Sequence, residues 1–268
     1  MLRLPAVAGR FYPDNPEELT SLVREYAKSE PGRNPARVKA VLVPHAGYRF
    51  SGHVAGAVFS RIVLPPKILI LGVRHFPGGE PMAIMSSGFW RTPLGDAPVD
   101  EAIAATLKNE CPILREDSVA HTREHSLEVQ VPFLQVLSAR FSFVPIALAT
   151  LRFNDLVVLG ERLARVLAAN PGILLLATSD LNHYEDDVTT RRKDKKAIDQ
   201  ILALDPRGLY DVCAKENISM CGLGPAVAML TALNVLGATH AELVRYATSA
   251  DVFGDTSRVV GYAGLVFS

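Results

Sequence analysis

The chain has few cysteines and no excess of either charge among its 268 residues. Its three cysteines, Cys111, Cys213 and Cys221, lack the spacing of a disulfide framework, which favours reduced thiols in the cytoplasm. Basic and acidic side chains number 28 each, so the formal net charge is zero. Nucleic-acid binding requires a basic footprint, and its absence argues against such a partner. The one basic run, residues 191–196, is interpreted as a solvated helical face.

Long apolar runs and several signature motifs are also absent. No run approaches the ~18 residues that span a bilayer, and the first residues show no basic-then-apolar signal pattern. The sequence therefore predicts a cytoplasmic protein with no membrane segment. A phosphate loop, a dinucleotide-binding glycine fingerprint and a nucleophile elbow are missing as well.

Three short apolar runs are present, and each leads to a histidine. Residues 38–44 run into His45, residues 67–72 lead to His75, and residues 172–178 lead through Asp180 to His183. Runs of this kind are typical of strands that are buried on both faces of a parallel sheet. Ligands of open α/β sheets bind outside the carboxyl ends of the strands. The pattern therefore predicts a functional site at that edge.

The remaining pattern alternates strands with helices along the whole chain. We predict an α/β fold in a single domain over residues 1–268, with a central mostly parallel or mixed sheet flanked by helices. The first strand, a helix to about residue 62 and the second strand are expected to form a β-α-β unit. Helices are predicted at 16–29, 100–109, 126–139, 154–169, within 187–213 and at 222–236, further strands at 141–147, 173–177, 240–247 and 258–267, and short strands or irregular structure at 81–98.

Two of these histidines suggest a metal site and the third suggests proton transfer. His45 and His75, on neighbouring strand ends, could approach one ion at ~2 Å. Asp180 and His183 are three residues apart, so in a turn or a first helical turn the carboxylate could orient the imidazole. The alternative is a helix start, with Asp180 or Ser179 as the cap.

Cys221 and the segment around His125 are further candidates. Cys221 precedes a predicted helix, whose N-terminus favours the reactive thiolate. The alternative, and the more usual role of a free cysteine, is that of a small buried core residue. His121 and His125 have helix-like spacing, and Glu124 lies between them in a pattern that differs from the metalloprotease motif. We interpret Glu124 and His125 first as residues that start a helix, with a place in the cleft as the alternative.

An ordered series of motifs over essentially the whole chain resembles the Memo family, also called AmmeMemoRadiSam system protein B. The motifs are Ala8-Gly-Arg-Phe-Tyr-Pro13, Pro44-His-Ala-Gly-Tyr48 with Ser51-Gly52, Leu71-Gly-x-x-His75, Thr92-Pro-Leu-Gly95, Glu124-His-Ser126, Ser179-Asp180 with His183-Tyr184, Cys221-Gly222 and Gly261-Tyr262.

The resemblance implies a fold like that of the class III extradiol dioxygenases, which hold non-haem iron at the strand ends. It implies His45, His75 and Cys221 as metal ligands, with His183 as acid/base and Asp180 beside it. The expected cofactor is a divalent metal, iron first, and a cysteine in place of the dioxygenase carboxylate also admits copper or zinc. Arg74, beside His75, departs from the common family pattern and adds positive charge that would attract an anionic substrate or weaken cation binding.

Three functions follow from this reading. The first is a metal-dependent oxidoreductase related to the dioxygenases, acting on an unknown small molecule. The second is a non-catalytic protein that binds a peptide or partner in the same cleft; the family name points to radical-SAM and AMMECR1-type partner proteins. The third is metal-assisted hydrolysis, which two histidines, one cysteine and a water on zinc would support.

Overall fold

The computed structural model describes residues 1–29, 32 and 34–268, as strands that alternate with helices. Part of the predicted loop over residues 29–35 lies outside the described residues. The strands are β1 Leu2–Arg3, β2 Ala40–Val43, β3 Lys67–Val73, β4 Met82–Ile84, β5 Phe89–Thr92, β6 Gly95–Pro98, β7 Arg115–Glu116, β8 Ser142–Leu148, β9 Ile173–Thr178, β10 His183–Glu185, β11 Ala241–Thr248 and β12 Val259–Phe267. The helices are α1 Pro16–Tyr26, α2 Tyr48–Phe59, α3 Glu101–Glu110, α4 Val119–Thr122, α5 Val131–Leu137, α6 Phe153–Ala169, α7 Asp187–Leu202, α8 Pro206–Glu216, α9 Leu223–Val235 and α10 Ala250–Phe253.

A mixed sheet forms the centre of the fold. Within the described residues it has nine strands in the order β10-β12-β2-β9-β3-β8-β4-β7, with β11 paired to β12. The four central strands, β2, β9, β3 and β8, are parallel, and antiparallel pairing begins at β12 on one side and at β4 on the other. The predicted α/β fold with a mixed sheet flanked by helices is confirmed.

Side chains alternate across the central strands and build two apolar cores. On β2, Val41 and Val43 face the layer that contains α1, α2 and α5, whereas Ala40 and Leu42 face the layer that contains α6, α8 and α9. Both faces are covered, which explains why the strands read as continuous apolar runs. Cys111 and Cys213 are buried in the second core as free thiols.

The order of the strands corrects one prediction. β2 and β3 are not neighbours, because β9 lies between them and pairs with both in parallel. The expectation that His45 and His75 follow neighbouring strands is therefore wrong, although β2, α2 and β3 form the predicted β-α-β unit of parallel strands and β2, β9 and β3 all end at the same edge. Periodicity within a strand identifies the strand but does not specify which strand it pairs with.

Proline or a capping side chain marks the start of α1, α3, α5, α7 and α8. The Asn15 side chain accepts hydrogen bonds from the backbone N–H groups of Glu17 and Glu18 at the start of α1, as its position before Pro16 predicts. The segment 126–139, predicted as a helix with Pro132 as a kink or near its start, is a 3-10 turn at Glu128–Gln130 followed by α5, and Pro132 lies in the first turn of α5. The short elements β7 and α4 were not predicted.

The basic run is a solvated helical face, as predicted. Arg191, Lys193, Lys195 and Lys196 lie on α7 and each pairs with a carboxylate. Among the residues with described structure, no helix combines the length and apolar character needed to cross a membrane.

Candidate metal centre

His45 lies directly after β2 and is held on two sides. Its backbone N–H donates to Oδ1 of Asp180 at 2.8 Å, and its Nδ1 lies 2.7 Å from the hydroxyl of Thr178 at the end of β9. The residue is 1% exposed. Burial, and then the neighbouring imidazoles of His75, His125 and His183, hold the pKa of His45 well below its usual range. The ring is therefore neutral, which is the form that binds metals.

His75 follows β3 and is fixed by the carboxylate of Glu124. Oε2 of Glu124 accepts from the His75 backbone N–H at 2.6 Å, and Oε1 lies 2.9 Å from Nδ1 of the same residue. Burial raises the pKa of Glu124, but the hydrogen bond and charge of His75 outweigh burial and lower it to about 2. An ionised acceptor at Nδ1 leaves the lone pair on Nε2 of His75, as in carboxylate–histidine–metal arrangements.

Cys221 reaches this edge because its loop packs against the end of β9. The Gly222 N–H donates to Oγ of Ser179 at 2.9 Å, and the Asp180 N–H donates to Sγ of Cys221 at 3.3 Å. A Cβ atom at Gly222 would overlap the carbonyl oxygen of Thr178, so this approach requires glycine. Burial, followed by the charge of Asp180, raises the pKa of the Cys221 thiol. The prediction that the helix N-terminus favours its thiolate is therefore wrong; a bound cation would have to displace the proton.

These three residues form the candidate metal centre. One donor atom from each of His45, His75 and Cys221 lies within 4.8 Å of the other two. Nε2 of His45 is 3.1 Å from Sγ of Cys221, and the rings of His45 and His75 are 5.2 Å apart. Two ligands of one tetrahedral ion, at about 2.1 and 2.3 Å, are separated by roughly 3.5 Å, so the donor set fits a single transition-metal ion.

Glu124 and His125 belong to the site and not simply to the start of a helix. The His125 ring stacks on His75 with centroids 4.5 Å apart and an angle of 21°, and its Nδ1 is 3.6 Å from Oε1 of Glu124. His75, Glu124 and His125 make a second group of closely spaced donor atoms. Burial lowers the pKa of His125 to about 4. The adjacent acid and imidazole in Glu124-His-Ser126 were the only sequence signal for this role.

His121 does not lie at the site with His125, although the two have helix-like spacing in the sequence. It is completely buried, its ring lies edge-on to Trp90, and its two ring nitrogens have no hydrogen-bond partner among the described residues. The two histidines therefore do not form a ligand pair.

Asp180 and His183 lie at the site, but the carboxylate does not orient the imidazole. Oδ1 of Asp180 accepts from the backbone N–H groups of His45 and Ala46. His183 is held by Ser219. The Ser219 hydroxyl accepts from the backbone N–H of His183, and the Ser219 carbonyl oxygen lies 2.9 Å from Nδ1 of the His183 ring. The predicted Asp180–His183 pairing is therefore wrong. A helix start at Asp180 is also wrong, because His183 begins the strand β10 and α7 starts at Asp187 with Asp186 as its cap.

The side chain of Arg74 is held by the loop that follows His75. Its guanidinium donates to the carbonyl oxygens of Gly78 and Glu80, so it closes the glycine-rich loop after β3. The attraction of an anionic substrate by its charge stays a prediction.

Comparison with known proteins identifies the family. The model of the Memo-like protein family matches residues 3–266. The chain belongs to the Memo family. It is 40% identical to a MEMO1 family protein of Methanopyrus kandleri, covering 100% of this chain and 99% of the relative. Identity to a MEMO1 family protein of Thermotoga maritima is 39%, covering 99% of each chain.

One solved structure supports the fold of this Memo-family protein. An uncharacterized protein from Escherichia coli K12 superposes with a TM-score of 0.57 at 12% identity, covering 86% of this chain and 100% of that one. At this identity the similarity concerns the fold alone.

Proposed function

We propose that this Memo-family protein is a metal-dependent oxidoreductase that acts on a small organic substrate, with iron as its ion. The observation that carries the proposal is the convergence of His45, His75 and Cys221 within 4.8 Å at the carboxyl ends of the central strands. Three protein ligands leave further coordination positions for reactants, which is the arrangement of catalytic and not structural metal sites.

The surrounding hydrogen bonds support this use of the three residues. The Glu124 carboxylate accepts the Nδ1 proton of His75, which leaves Nε2 of that ring as the metal-binding atom, and the Thr178 hydroxyl holds Nδ1 of His45. When bound, iron would supply Lewis acidity and access to dioxygen chemistry. Imidazole and thiolate also suit zinc and copper, so metal content is the first test.

His183 has the position and tautomer of a proton carrier. Nδ1 donates to the Ser219 carbonyl oxygen, an acceptor only, and the proton therefore resides on Nδ1. Nε2 keeps its lone pair and can accept a proton from a hydroxyl group of the substrate. The charge of His183 contributes to the lowered pKa of His45, which places the two imidazoles near each other.

The ligand assignment is tested by metal analysis after anaerobic loading with iron. Wild type is expected to hold about one ion per chain, and His45→Ala and Cys221→Ser to lose it, because each removes a donor. The exposed His240, which lies outside the site, provides the control variant His240→Ala with wild-type content. Equal metal content in all four proteins contradicts the assignment.

The reaction class is tested by oxygen uptake with a panel of catechols and related phenols. Iron-loaded wild type is expected to consume oxygen. His183→Ala should keep its iron and lose about 10²–10⁴-fold in rate, because only proton transfer is removed. An iron-loaded protein that turns over none of the panel contradicts oxidoreductase activity on this class, whereas undiminished turnover in His183→Ala contradicts the role of His183.

A further inference from the structure

Several aromatic side chains lie close to residues of the site, in sequence or in space. Phe76 directly follows His75, Tyr184 directly follows His183, and Phe50 lies in the first turn of α2 just after His45. The Phe11 ring contacts the His125 ring at 4.7 Å. Tyr184 is 64% exposed, so at least one of these rings is open to an approaching molecule.

An exposed arginine lies close to each of these segments. The guanidinium of Arg123 lies 4.5 Å from the Phe76 ring, that of Arg49 lies 4.7 Å from the Phe50 ring, and that of Arg258 lies 5.5 Å from the Tyr184 ring. The charge of Arg10 contributes to the lowered pKa of His125, which places Arg10 beside the same opening. We call Arg10, Arg49, Arg123 and Arg258 the rim arginines.

Among the described residues, the rim arginines have no carboxylate partner, in contrast to Arg91, Arg191 and Arg207. Arg91 pairs with Asp96, Arg191 with Asp187 and Asp251, and Arg207 with Asp211. Over residues 1–29, 32 and 34–268, no carboxylate oxygen lies within 4.0 Å of a rim arginine.

Unpaired guanidinium groups stacked on aromatic faces have a definite chemical preference. The planar fork binds carboxylate and phosphate groups through paired hydrogen bonds, and exposed ring faces receive planar groups. Positive charge around a cleft also raises the local concentration of anions. At the centre beneath, His45 is buried and Cys221 half-buried, whereas His75 is exposed, so a reactant reaches the donor atoms from the side of His75.

We propose that the rim arginines select a small organic anion, a planar molecule with a carboxylate or phosphate group that stays at the mouth while its other end enters the cleft. This inference rests on the proposed function in taking the metal centre as the reacting end. It names the substrate class and assigns the recognition of the anion to the rim arginines.

The test is calorimetric titration with four probes of one size and different charge. Phenyl phosphate and benzoate are expected to bind, with benzyl alcohol and benzylammonium at least about tenfold weaker. The dissociation constant of the two anions should rise between about 50 and 200 mM salt, as ions screen the guanidinium charge. Benzoate and phenyl phosphate, compared with each other, distinguish a carboxylate substrate from a phosphate ester.

The matched variants separate charge from general surface effects. Arg123→Gln/Arg258→Gln is expected to weaken anion binding at least about tenfold, and the double Arg→Lys variant to recover part of it, because lysine keeps the charge but not the fork. Arg207→Gln is the control, since Arg207 also lies over an aromatic ring, that of Phe153, but is paired with Asp211; it should bind as wild type does.

Four results overturn the inference: no anion binding, equal binding of the neutral probe, unchanged binding in the double Gln variant, or tighter binding of polyglutamate than of phenyl phosphate. The last result would assign the rim arginines to an acidic macromolecule. Metal content is measured on the same samples. A wild-type protein that holds no metal contradicts the proposed function, whereas the binding of the probes tests the role of the rim arginines independently.

Discussion

Glu124 shows how a single side chain organises this site. It is completely buried, yet its carboxylate receives the Nδ1 and backbone N–H of His75 and the backbone N–H of Ser126. A buried charge is tolerated only with such partners, and here the partners are the groups that direct Nε2 of His75 into the cleft. The residue therefore stabilises the fold and positions the candidate ligand at once.

Removing the charge of Glu124 while keeping the shape of its side chain tests this role. Glu124→Gln is expected to lower metal affinity about 10–100-fold, because the neutral amide makes His75 a weaker donor. Metal affinity is measured by competition with a chromophoric chelator. Glu116→Gln, at an exposed carboxylate paired with Lys108, is the control. Wild-type affinity in Glu124→Gln would show that its carboxylate does not act through His75.

At the scale of elements, the loop before α9 decides where the third donor lies. No regular element carries Cys221, and its position depends on the close packing of Gly222 against Thr178 and Ser179. The hydroxyl of Ser179, which accepts from the Gly222 N–H, joins this loop to the end of β9. Two histidines from strand ends and one cysteine from a loop thus meet only because α9 packs against the sheet.

Gly222→Ala is expected to displace this loop. The added methyl would overlap backbone atoms, costing about 1–3 kcal/mol of stability and moving Sγ away from His45. Urea unfolding and metal titration measure the two effects. Gly224→Ala, in the first turn of the same helix, is the control. Its added Cβ atom would lie 3.1 Å from the carbonyl oxygen of Thr150, its nearest neighbour, so this variant should retain metal affinity. Equal effects of the two substitutions would mean that Gly222 has no special role.

For the whole molecule, Asp194 links several elements behind the site. Lying on α7, it accepts the Tyr246 hydroxyl of β11 at 2.7 Å and the Asn182 N–H of the loop before β10 at 2.8 Å. A Cβ atom at Gly261 of β12 would overlap its carboxylate. Burial, opposed by the hydrogen bonds from Tyr246 and Asn182, raises the pKa of Asp194 to about 7.

This pKa predicts a pH dependence of global stability. The native state keeps a proton on Asp194 that the unfolded chain releases near its usual pKa of about 4, so stability is present at acidic pH and is lost as pH rises toward 7. Between pH values of about 5 and 8 the loss amounts to roughly 2–3 kcal/mol. Asp194→Asn should remove this part of the slope in urea unfolding. Asp199→Asn, at a more exposed carboxylate paired with Lys195 on the same helix, should keep it, and a wild-type slope in Asp194→Asn contradicts the assignment.

The sequence by itself determined the α/β class, the central strands and the histidines at their ends. Apolar runs, proline and capping residues act over a few neighbours, so the strands behind His45 and His75 and the start of α1 were predictable. The ordered motifs identified the Memo family and, through it, the three candidate ligands.

Only the tertiary structure decided the strand order, the hydrogen-bond partners of the site residues and the pKa of the Cys221 thiol. β9 lies between β2 and β3, Ser219 holds His183 in place of Asp180, and Glu124 reaches His75 from 49 residues away. The raised pKa of Cys221 results from burial in the folded chain and not from its position before a helix. Each of these outcomes depends on groups far apart in sequence, whose contacts arise only when the sheet and both helical layers pack together.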